Sequence, residues 1–90
     1  MKMLILLSLF TTVAMSCGDN AYRCVGPSRN AAEDFRHTQL CLKSVGLDEN
    51  DTCYCWGSAQ DYGDVGSDKA EAFKACCEGY DNYSVRECSG

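Results

Sequence analysis

Apolar residues recur at three- and four-residue steps in two stretches of the chain. Ala31, Phe35, Thr38, Leu42 and Val45 fall on one side of a 3.6-residue repeat, which predicts a helix over 30–45. Asn30 followed by Glu33 supplies a start signal, and Gly46 fits the stop. Cys41 lies beside this stripe, placed to staple the helix into a core. A second helix is predicted over 68–79, where Ala70, Phe73, Cys77 and Tyr80 share a face with Cys76 beside it. Asp68 with Glu71 reads as a capping-box pair, and Gly79 as the C-cap.

The remaining segments lack such a period. Residues 17–27 (CGDNAYRCVGP) read as irregular, and 46–66 hold most of the turn-formers. Within that stretch Asp48 to Asp51 cap a short turn, Cys53 to Trp56 are expected to be buried, and 61–66 reads as loop. Residues 80–90 form a short polar tail pinned by Cys88. No run alternates clearly enough to predict a strand. The expected fold is therefore mostly α, a small disulfide-rich domain of two main helices cross-linked by about four disulfides, with a loop-rich remainder.

The N-terminus carries a third pattern. MKMLILLSLFTTVAMS has one early charge (Lys2), an apolar run from Met3 to Phe10, and Ala14 and Ser16 in small-x-small spacing before Cys17. Residues 1–16 thus read as a secretory signal peptide, leaving 17–90 as a single cysteine-rich domain. A lipoprotein cleavage at Cys17 wants a larger aliphatic residue than Ala14. The apolar run is well short of the ~20 residues of a membrane span, so a secreted, extracellular product is expected.

Charge then narrows the partners. The chain has 13 acidic and 8 basic side chains, for a net charge of −5, and loses Lys2 with the leader. Phosphate binding needs a basic face, so nucleic acid is not an expected partner. All 8 cysteines (Cys17, Cys24, Cys41, Cys53, Cys55, Cys76, Cys77 and Cys88) lie after the leader. An even number in a short exported chain implies a disulfide framework, whose connectivity the sequence leaves open. Adjacent Cys76 and Cys77 are expected to take different partners, because a bridge between neighbours strains the peptide. Two sequons, Asn50-Asp51-Thr52 and Asn82-Tyr83-Ser84, mark Asn50 and Asn82 as candidate glycosylation sites.

Catalytic sets are hard to find. His37 is the only histidine; it lies off the apolar stripe and reads as a solvated side chain. The cysteines are committed to bridges, and neither a nucleophile elbow, a phosphate loop nor a zinc-helix motif is present. An EF-hand beginning at Asp61 fails at Gly63, Val65 and Ala72. No metal site, cofactor or enzymatic activity is expected.

One local spelling suggests otherwise. Cys53-Tyr54-Cys55-Trp56-Gly57, followed by a helix bearing Cys76-Cys77-Glu78-Gly79-Tyr80-Asp81, resembles secretory phospholipases of the A-two class. That resemblance implies a calcium loop at 53–57 and a calcium aspartate at Asp81, with Tyr80 where the family's catalytic histidine stands. Lacking that base, the chain would be a degenerate, inactive relative.

The leading expectation is a monomeric, non-enzymatic protein of toxin, effector or pheromone type. It would bind an extracellular protein target such as a receptor, channel or enzyme. Tyr62, flanked by Asp61 and Asp64, is the candidate exposed interface. A small helical carrier of a lipid or other apolar ligand is the alternative.

Overall fold

The computed structural model describes residues 15–88; the expected signal peptide lies outside them up to residue 14. The chain runs β1 (Ala21–Val25), α1 (Ala31–Ser44), β2 (Thr52–Cys53), β3 (Tyr62–Asp64), α2 (Ala70–Glu78) and β4 (Ser84–Glu87). The four strands form one antiparallel sheet in the order β2-β3-β1-β4. Helix and strand make up about 31% and 22% of the described residues, so the fold is mixed rather than mostly α.

The strands escape periodicity for physical reasons. Central β1, AYRCV, is covered on both faces: Tyr22 and Cys24 join the helices, while Ala21 packs with Cys53, Cys55 and Tyr62 on the other side. A strand buried on both faces loses the alternation that marks a half-buried one. β2 and β3 have two and three residues, too few to define a period, and edge strand β4 is largely exposed. Antiparallel register is set instead by β1 pairing with both neighbours, from Ala21↔Asp64 to Val25↔Ser84.

α1 begins as expected, with Asn30 Oδ1 accepting from Glu33 N–H at 3.1 Å. Its buried face is rotated from the predicted stripe. Asp34, Thr38, Cys41 and Leu42 are buried, Phe35 is half-buried and Ala31 is exposed. Thr38 explains part of the docking, since its hydroxyl accepts from Cys24 N–H and donates to Asp34 C=O, both at 3.0 Å. Gly63 explains the closeness of α1 to β3: a Cβ there would lie 2.9 Å from Leu42 Cδ2.

α2 is shorter than predicted. It starts at Ala70 behind Lys69, and the capping box of Asp68 with Glu71 does not form. Lys69 Nζ instead donates to Val45 C=O at 2.8 Å, so the entry to α2 satisfies the exit of α1. The face of Ala70, Phe73 and Cys77 is buried as its spacing implies.

Four disulfides join the layers. Cys24–Cys77 ties β1 to α2, Cys41–Cys76 ties the two helices, and Cys17–Cys53 and Cys55–Cys88 close the opposite face of the sheet. Cys76 and Cys77 therefore do hold the second helix in two directions.

Candidate binding surface

The face of the sheet away from the helices carries the most exposed aromatic group among the described residues. Along Cys53-Tyr54-Cys55-Trp56 burial alternates: Cys53 and Cys55 are 1% and 9% exposed, while Tyr54 and Trp56 are 39% and 83% exposed. The two cysteines turn inward to their bridges and so drive the two aromatics outward. This overturns the expectation that the whole segment is buried. The period-two spelling was the available signal, hidden because cysteine and aromatics both count as apolar.

Tyr54 and Trp56 line a surface concavity of about 440 Å³ together with Ser16, Gly18, Asp19 and Gly57. Gly57 turns with φ +72°, and Ser58 closes the turn by donating to Cys55 C=O at 2.9 Å and accepting from Cys55 N–H at 3.0 Å. Bridges on both sides of Tyr54 and this turn after Trp56 fix the backbone that presents them. A rigid aromatic loses little freedom on binding.

The interface expected at Asp61, Tyr62 and Asp64 is not assembled. Tyr62 is only 4% exposed, paired across from Cys53 in the sheet. Asp61 turns toward Arg23, with Oδ2 3.7 Å from Nη1 and its buried Oδ1 without a hydrogen-bond partner among the described residues. Asp64 alone stays exposed. Arg23 also lies 3.4 Å from buried Asp34, whose Oδ1 accepts from Gly26 N–H at 2.9 Å. These acids serve the fold. Sequence reasoning missed Asp34 because an acid in a first helical turn ordinarily reads as a solvated cap.

His37 is half-buried rather than freely solvated. Its ring packs against Tyr80 and Tyr83 at centroid distances of 4.4 and 4.6 Å. Nδ1 lies 2.9 Å from Glu33 C=O and 3.0 Å from Tyr83 Oη. A protonated Nδ1 donates its one hydrogen to one of those oxygens, and an unprotonated one accepts from the Tyr83 hydroxyl. Burial, reinforced by the negative charges of Glu33 and Asp34, raises the Tyr83 hydroxyl above the usual phenol range. A Cβ on Gly26 would meet the Tyr83 ring at 2.5 Å, so glycine there admits the ring.

The phospholipase-like spelling does not extend to geometry. α2 stops at Glu78, leaving Tyr80 and Asp81 in the turn beyond it rather than on a catalytic helix. Cys24, Cys41 and Cys77, whose sulfurs cluster within metal-ligand range, are all consumed by disulfides. Asp48 and Asp51 close a local turn, with Asp51 Oδ2 accepting from Asp48 N–H at 3.0 Å. The sequon residues Asn50 and Asn82 are both exposed. Among the described residues no helix is long and apolar enough to cross a membrane. Comparison with protein families, curated proteins and solved structures finds no match for the chain.

Proposed function

We propose that the chain is exported, is cleaved after Ser16, and acts outside the cell as a non-enzymatic binding protein for an extracellular protein target. The contact surface is the Tyr54–Trp56 face rather than the Asp61–Asp64 segment. One observation carries this reading: the chain's only tryptophan is 83% exposed on a segment held by two disulfides. Tryptophan is the side chain most enriched among residues that dominate protein interfaces, and leaving it in water forgoes burial worth about 2 kcal/mol. Four disulfides supply a stabilised domain of the extracellular type.

The test compares the secreted wild type with Trp56→Ala on cell surfaces and extracellular extracts from the source tissue. Saturable wild-type binding should weaken at least tenfold in the variant. Its stability should stay within about 0.5 kcal/mol, because an exposed side chain contributes little to the fold. Undiminished binding by Trp56→Ala rejects this surface, and no saturable binding by the wild type rejects the function.

A further inference from the structure

The residues just before Cys17 meet this face through a single β-bridge. Tyr54 N–H donates to Met15 C=O at 2.7 Å, and Cys17 N–H donates to Tyr54 C=O at 2.9 Å. Together they make a parallel pairing centred on Ser16 and Tyr54, directly after edge strand β2. The acceptor of the Tyr54 N–H thus belongs to residues that the small-x-small pattern marks for removal.

Hydrolysis of the Ser16–Cys17 peptide bond by a signal peptidase adds one water across it. The products are a carboxylate on Ser16 and an α-amine on Cys17, which is protonated below a pKa of about 8. Cys17 stays where it is, because its bridge to Cys53 is untouched. Tyr54 N–H then loses its acceptor, and the edge position that Ser16 held beside the concavity shared with Trp56 is vacated.

We propose that this vacated edge position binds the free C-terminal end of an extended peptide. The peptide's carboxylate pairs with the Cys17 α-ammonium, its penultimate carbonyl accepts from Tyr54 N–H, and its last residue takes the place of Ser16 at the wall of the concavity that Trp56 also lines. Two observations select that occupant. Met15 and Ser16 already make one parallel β-bridge there through main-chain groups, and cutting after Ser16 generates the ammonium that complements a carboxylate. Strand addition draws affinity from main-chain hydrogen bonds, with side-chain pockets adding selectivity. Asp19 lines the same concavity and competes for the ammonium, so the affinity for a short peptide is modest.

The inference rests on export and on the Tyr54–Trp56 face as the binding surface, and it names the ligand of that face. Two oxidised proteins are compared, one beginning at Cys17 and one at Met15, each titrated with acetyl-Ala-Met-Ser as free acid and as amide. Binding is read from the backbone amide resonance of Tyr54 and the indole resonance of Trp56. The acid should shift both resonances saturably in the Cys17 protein. The amide should bind at least tenfold more weakly, and the Met15 protein should not respond. Equal binding of acid and amide, equal binding by both proteins, or no shift in the Cys17 protein overturns the proposal. So does an intact mass showing that the secreted protein keeps Met15. Because the titration needs no partner protein, its failure alongside intact, Trp56-dependent target binding rejects only the carboxylate site.

Discussion

Asp34 ties α1 to β1 and to the residue that follows it through one carboxylate. From the first turn of α1 it accepts the Gly26 N–H just beyond β1 and lies 3.4 Å from the Arg23 guanidinium, at 3% exposure. Asp34→Ala strands a buried N–H and leaves Arg23 with Asp61 alone. It should lower unfolding stability by about 3 kcal/mol, measured by denaturant titration. Tyr83 makes the complementary case at the rim. Its folded pKa is raised, so the neutral phenol is the form the fold favours. Its contribution is complete below the ordinary tyrosine value near 10 and is lost as pH rises through the raised value. Absorbance titration of phenolate should therefore show a late component above pH ~10 that Tyr83→Phe removes. Neither role was legible from composition, since both depend on neighbours distant along the chain.

The element scale separates local signals that formed from local signals that were overridden. Asn30 caps α1, and Asn30→Ala should cost about 1 kcal/mol. Asp68 stands in an equally persuasive spelling, yet α2 begins behind Lys69, whose ammonium is drawn to the Val45 carbonyl. Asp68→Ala should change stability by no more than about 0.5 kcal/mol, and thermal unfolding of the two variants side by side distinguishes the cases. Helices were legible because one amphipathic face imposes a period on a dozen residues. The strands were not, because they are two to five residues long and the central one is covered on both faces. The Cys53–Trp56 alternation was present in the spelling, but only the bridges to Cys17 and Cys88 decide which pair of side chains turns inward.

Across the whole molecule, the disulfides divide the work between the two faces of the sheet. Cys24–Cys77 and Cys41–Cys76 lie in the helix-side core, whereas Cys17–Cys53 and Cys55–Cys88 brace the face that carries Trp56. Bridges spanning 33 to 53 residues each restrict the unfolded chain by about 4 kcal/mol in the loop-entropy account. Replacing Cys55 and Cys88 together by Ala should cost about that amount while leaving the helices folded, read by circular dichroism. Target binding should fall as well, because Trp56 is no longer preorganised. By itself the sequence determined the two helices, the commitment of eight cysteines to bridges and the separate partners of Cys76 and Cys77. Those features follow from short-range periodicity, oxidation chemistry and the geometry of adjacent residues. Tertiary structure decided the sheet, the pairing of the bridges and the exchange of roles between buried Tyr62 and exposed Trp56. These outcomes depend on which distant segments meet across β1, and no local pattern records such a meeting.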